Sequence, residues 1–140
     1  MAIRSWGALK HSPGGAVVFM SGSSAVAPKA SLAAVGAINA AIAALANAFA
    51  ERGVADGVQV NAVLPGPVMT SRRHSLLKRF PAENGLSFEA GAERLASETG
   101  ISRYGQPEDI AALIAFLHSP PARWMTGATL RMDGGEIKAI

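Results

Sequence analysis

The chain has 140 residues, of which 49% are hydrophobic and 16% charged, with a formal net charge of +3. That richness in apolar residues excludes a disordered chain and provides for one small domain with one core, spanning residues 1–140. The absence of cysteine excludes disulfides, thiolate metal sites and cysteine nucleophiles, and fits a cytoplasmic setting. The dispersed charge excess gives no nucleic-acid signature.

Residues 1–10 read as the tail of a helix, with no run resembling a signal-peptide core. His11-Ser12-Pro13-Gly14-Gly15 then breaks the chain. Ala16-Val17-Val18-Phe19-Met20 is a short continuous apolar run, as in a strand buried on both faces of a parallel sheet. Ser21-Gly22-Ser23-Ser24 follows as a polar loop. A long helix is predicted from Ser31 to Arg52, with Ser31 as N-cap and Gly53 closing the C-terminus. From Ala30 to Ala50 this segment carries no charge. Its alanine content and its two asparagines, Asn39 and Asn47, oppose entry into lipid, so it reads as a buried or interface helix and no membrane partner is expected.

Val58-Gln59-Val60-Asn61-Ala62-Val63 is the second predicted strand, stopped by Leu64-Pro65-Gly66-Pro67. Residues 71–100 form a charged excursion with one or two short helices, one of them near residues 88–97. Gln106-Pro107-Glu108-Asp109 opens a further helix, with proline at its first position and two acids complementing its dipole. Ile110, Leu113, Ile114 and Leu117 give that helix one apolar face, and Pro120-Pro121 ends it. Ala128-Thr129-Leu130-Arg131-Met132 is the third strand, before Asp133-Gly134-Gly135.

The order is βαβαβ. This predicts an α/β fold, a partial Rossmann-type parallel sheet of about three strands with flanking helices and right-handed crossovers. Ligands of such sheets bind beyond the carboxyl ends of the strands, which points to the loops 21–24 and 65–70. No internal repeat or linker interrupts the chain.

Three segments together carry a family resemblance. Val60-Asn61-Ala62-Val63-Leu64-Pro65-Gly66-Pro67-Val68-Met69-Thr70, then Arg103-Tyr104-Gly105-Gln106-Pro107-Glu108-Asp109-Ile110-Ala111, then Trp124-Met125-Thr126-Gly127-Ala128-Thr129-Leu130-Arg131-Met132-Asp133-Gly134-Gly135 resemble the C-terminal half of the short-chain dehydrogenase/reductases, in family order and spacing. The resemblance implies a Rossmann-type oxidoreductase, NAD or NADP as cofactor, a small-molecule substrate and a homo-oligomer formed through the Ser31 to Arg52 helix. It implies cofactor contacts at Pro65, Gly66, Val68 and Thr70, with Val68 and Thr70 holding the nicotinamide carboxamide.

Where the family has Tyr-x-x-x-Lys, this chain has Val35 and Asn39. The family's assisting serine falls on Gly22, with Ser21 and Ser23 flanking it as the candidate hydroxyls. No G-x-G-x-x-G occurs, and the usual first four strands have no counterpart. Helix N-terminal amides behind such a turn supply the pyrophosphate grip, so tight dinucleotide binding by this chain alone is not expected. The expectation is an oxidoreductase by descent, inactive alone. The alternative is a non-catalytic binding or oligomerisation module.

The remaining polar residues have plain readings. Asn61 is a structural hydrogen bonder, and Tyr104 packs around a helix N-terminus. Arg72, Arg73, His74, Lys78 and Arg79 form a solvated loop face, a phosphate contact being the alternative. His11, His74 and His118 lie far apart, G-x-S-x-G is absent, and no metal site is expected. A sheet cut from a larger one has an open flank, so Ala16 to Met20 is expected to be an edge strand or to pair with another chain.

Overall fold

The computed structural model describes residues 6–9, 11–12, 14–78 and 84–138. Its centre is β2 (Gln59–Pro65), where residues 59–64 are all buried. Such a strand needs hydrogen-bonding neighbours on both edges and covers on both faces. β1 (Ala16–Met20) supplies one edge, in parallel, with Val18 opposite Asn61. β3 (Thr129–Met132) supplies the other, also parallel, with Ala62 opposite Thr129. The order β1-β2-β3 leaves Ala16–Met20 at the flank of the sheet.

The faces divide by the two-residue period of the strand. Val60, Ala62 and Leu64 point to α1 (Ala33–Asp56), meeting Ala50 and Ala46. Val63 points the other way, to Ile110 and Leu117 of α4 (Pro107–His118). The fully buried Val60, Val63 and Leu64 each contribute about 1.5–3 kcal/mol by burial. α1 approaches closely because the residues it buries are small: Gly36, Ala46, Ala50 and Gly53. At the near end, Trp6 donates from Nε1 to Asp56 (2.7 Å) and packs tilted against Phe49, with ring centres 5.0 Å apart.

Asn61 is the one asparagine inside the strand, 1% exposed, and both of its side-chain polar atoms are hydrogen-bonded. Its Nδ2 donates to Met125 O (2.7 Å) and its Oδ1 accepts from Ala128 N–H (3.0 Å). The side chain thus fastens the approach of β3 to the centre of the sheet, which is the structural role read from the sequence. Among the described residues the charged excursion includes the helices α2 (Ser71–Leu77) and α3 (Phe88–Thr99).

Several boundaries differ from the sequence reading. Ser31 does not cap α1: the chain enters through a 3-10 turn over Ala30–Leu32, and Leu32 occupies the cap position without a side-chain bond. Gly53 does not end α1 but lies inside it, where an added Cβ would stand 2.3 Å from Val58 O. The helix runs one turn further, to a left-handed Gly57 (φ 68°). β2 continues through Pro65. Gln59 N–H donates to Gly15 O, so the odd-numbered amides of β2 face the β1 flank, and at Pro65 that flank has already ended. A missing N–H therefore costs no ladder bond there. β3 starts one residue later than expected. Of the helix read over residues 1–10, 6–9 are helical and residues 1–5 and 10 lie outside the described residues.

Replacing Asn61 by leucine leaves Met125 O and Ala128 N–H without partners, an expected loss of about 2–4 kcal/mol in urea unfolding at unchanged slope. A loss below about 0.5 kcal/mol contradicts the fastening role.

At the start of α4, Asp109 accepts from Arg103 Nη1 (2.7 Å) and from Gln106 N–H (2.8 Å), and these bonds hold its carboxyl below the ordinary value of 3.8. A carboxyl depressed in the fold stabilises it above that ordinary value and loses the contribution as pH falls through the folded one. Asp109→Asn is expected to remove stability at pH 7 and to flatten the acid limb of a stability–pH profile below about pH 4. An unchanged acid limb contradicts this.

Candidate functional site

The parallel arrangement delivers three loops to one edge of the sheet: 21–24 after β1, 66–70 after β2 and 133–136 after β3. Backbone bonds fix each. Ser21 N–H donates to Val63 O (2.9 Å), and Gly66 N–H donates to Met132 O (3.0 Å). Residues 67–69 are clipped to Gly105 from both sides, by Gly105 N–H to Pro67 O and Met69 N–H to Gly105 O (3.0 and 2.8 Å). Thr70 caps α2, its hydroxyl accepting from Arg73 N–H (3.3 Å). Gly66 admits the β3 turn, since a Cβ there would lie 2.6 Å from Asp133. That turn is closed by the Asp133 carboxylate, which accepts from Gly135 and Ile137 N–H (3.0 and 3.1 Å).

Two clefts large enough for a small molecule open at this edge among the described residues. The first, about 560 Å³, is bordered by Gly22, Ser23, Asn39, Arg73, Tyr104 and Glu136. The second, about 680 Å³, is more apolar and is bordered by Ser21, Val35, Pro65, Gly66, Val68 and Thr70. Pro65, Gly66 and Arg73 border both. All four residues read as cofactor contacts therefore share one cleft with Ser21 and Val35. Ser23 and Asn39 lie in the other. Both volumes suit a small molecule.

Gly22 and Asn39, which the sequence reading set at the serine and lysine positions, meet here, while Val35 borders the second cleft. Asn39 Nδ2 donates to Ser24 Oγ (2.8 Å), and Ser21 Oγ donates to Asn39 O (2.7 Å). A Cβ on Gly22 would stand 2.8 Å from Asn39 Nδ2. The asparagine amide thus fills the space that a side chain at position 22 needs. Neither an amide nor an aliphatic side chain exchanges a proton near neutral pH, so Asn39 and Val35 can orient and wall a ligand but not move a proton.

Ser23 Oγ donates to Glu136 Oε2 (2.8 Å), and Lys29 Nζ lies 3.6 Å from Glu136 Oε1. Neither Lys29 nor Glu136 was singled out by sequence. The available signal was Gly134-Gly135, both left-handed (φ 63° and 84°), which folds Glu136 back over the β1 loop. Tyr104, read from the sequence as packing around a helix N-terminus, packs with Leu77 at the end of α2 and with Ala96 and Ile101 around the end of α3, and burial raises its phenol pKa. His74 stacks on Phe88 at 4.5 Å, and His118 Nδ1 bonds Ile114 O. Among the described residues no group of three His, Cys, Asp or Glu could hold a metal.

Residues 2–136 match the model of a family described as enoyl-(acyl carrier protein) reductase. An uncharacterized oxidoreductase of Methylorubrum extorquens is 41% identical over 100 residues, covering 71% of this chain and 36% of that protein. A tropinone reductase homolog of Arabidopsis thaliana is 33% identical over 127 residues, covering 91% of this chain and 45% of that protein. The chain thus spans less than half the length of either relative. In structure it is similar to L-sorbose reductase from Gluconobacter frateurii complexed with NADPH and L-sorbose, with TM-score 0.88, 26% identity and coverage of 99% of this chain and 55% of that one. It is similar also to the apo form of a short-chain oxidoreductase from Pseudomonas aeruginosa described as containing an atypical catalytic center, with TM-score 0.88, 27% identity and coverage of 99% and 53%.

The contact of Gly22 with Asn39 predicts coupled substitutions. Gly22→Ala is expected to destabilise by about 1–3 kcal/mol through overpacking, and Asn39→Ala in the same chain to recover at least half of that loss. Additive effects in the double-mutant cycle contradict the contact.

Proposed function

The chain belongs to the short-chain dehydrogenase/reductase superfamily, and from that premise we propose that it is the C-terminal half of an NAD(P)-dependent oxidoreductase fold, not competent for hydride transfer by itself. The observation that carries this reading is the second cleft. Pro65, Gly66, Val68 and Thr70 border it together with Val35, at the position of the family's tyrosine. A nicotinamide ring needs an apolar wall and polar partners for its carboxamide. Val35 and Val68 offer the first, and the clipped backbone around Val68 with the Thr70 hydroxyl offers the second. The residues present fit that end of the cofactor, which when bound supplies or accepts the hydride.

The dinucleotide's other end has no counterpart in these 140 residues, because no glycine-rich turn presents amides to a pyrophosphate. Nor do Val35 and Asn39 supply the proton that carbonyl reduction consumes. A substrate in the first cleft would be oriented by Ser23, Ser24 and Asn39. A cytoplasmic setting fits a chain without cysteine.

Isothermal titration of the chain with NADPH and with NADH tests this. The expected result is no saturable binding tighter than about 100 μM for either. Tighter binding contradicts the proposed dependence on a separate nucleotide-binding half.

A second reading rests on α1. With the preceding turn it is long and apolar enough, by length and composition, to cross a membrane. Its small residues are packed on the sheet, however, while Leu32, Val35, Ile38 and Leu45 remain about half exposed. This reading makes that face the contact between two copies of the chain, a module that assembles without catalysing. Leu45→Glu is expected to give monomers or insoluble protein in size-exclusion chromatography with light scattering. A soluble oligomer of unchanged mass counts against it.

A further inference from the structure

Four charged side chains border the first cleft: Lys29, Arg73, Glu98 and Glu136. Three are committed. Glu136 accepts from Ser23 and faces Lys29 at 3.6 Å, and Glu98 accepts from Arg94 Nε (3.1 Å) along α3. Arg73 has no carboxylate partner among the described residues. It is half-buried, and its guanidinium carbon lies 5.8 Å from the centre of the Tyr104 ring. That ring is itself wedged among Leu77, Ala96 and Ile101. A cation over a buried aromatic face is held in place while its in-plane N–H donors remain available. Arg73 also borders both clefts, at their junction.

An unneutralised, positioned guanidinium facing a small-molecule cleft is built to take an anionic oxygen pair in two parallel hydrogen bonds. We propose that Arg73 is a specificity residue that binds the carboxylate of a small oxo acid lying in the first cleft. The proposal rests on the reading above in treating that cleft as the substrate's and the substrate as a carbonyl compound. The same chemistry would serve a cofactor phosphate, and the two sources separate by size and position: a carboxylate enters from the first cleft, a phosphate from the second.

The test follows the Arg73 Nε–H resonance of the intact chain by NMR, assigned by its loss in Arg73→Gln, during titration with acetoacetate and, separately, with inorganic pyrophosphate. The expected result is a saturable acetoacetate shift whose dissociation constant rises about tenfold or more in Arg73→Gln, followed through neighbouring amides, and stays unchanged in Lys78→Gln. Arg73→Lys, which keeps the charge but not the planar fork, is expected to weaken binding as well. Lys78 lies on the same stretch of chain and borders neither cleft. A response to pyrophosphate alone assigns Arg73 to the cofactor and overturns the proposal. Equal effects of Arg73→Gln and Lys78→Gln, or no saturation with acetoacetate, overturn it too. If Arg73→Gln fails to fold, the wild-type titration and Arg73→Lys still decide. Acetoacetate binding needs no dinucleotide, so this result stands apart from the nicotinamide titrations.

Discussion

Six consecutive buried residues in β2 constrain everything else in this molecule. Buried backbone must be paired, and buried apolar side chains on both faces must be covered. One chain meets both demands by placing parallel strands on either side and a helix on either face. Parallel pairing has a geometric consequence: every strand ends at the same edge. The loops after Met20, Pro65 and Met132 are therefore neighbours, although they are far apart in sequence. Asn61 ties the third strand to the second from inside the core, so the packing that stabilises the fold is also what assembles the clefts.

At that edge Gly22, Val35 and Asn39 stand close to the loops that follow β1 and β2. Gly22 and Asn39 are not independent in space. The Asn39 amide, held by Ser24, occupies the volume beside Gly22, and Ser21 is spent on the helix backbone. A serine placed at position 22 would have to displace that amide. The packing of Gly22 and the packing of Asn39 are therefore one arrangement.

Much of the architecture was legible in the residues. The apolar run at 16–20 is the first strand as bounded, and the Gln106-Pro107-Glu108-Asp109 opening is the start of α4. Both signals are local, because a strand's apolarity and a helix cap act within a few residues. What the sequence did not disclose depends on distant contacts. Gly53 resembles a helix terminator, yet it is a packing residue against Val58, and the true terminator is Gly57. Pro65 resembles a strand breaker, yet it lies where its neighbour has already ended. Glu136 reaches Ser23 only through two left-handed glycines, and Arg73 stands out only once its possible partners are seen bound elsewhere.

The site depends on the parallel order β1-β2-β3, and interstrand nuclear Overhauser effects on uniformly labelled chain measure it directly. Backbone contacts between the 16–20 and 59–63 segments, and between 62–65 and 129–132, in the parallel pattern and in the register Val18 opposite Asn61 and Ala62 opposite Thr129, are the expected result. An antiparallel pattern, or contacts placing 16–20 beside 129–132, would separate the loops and remove the site.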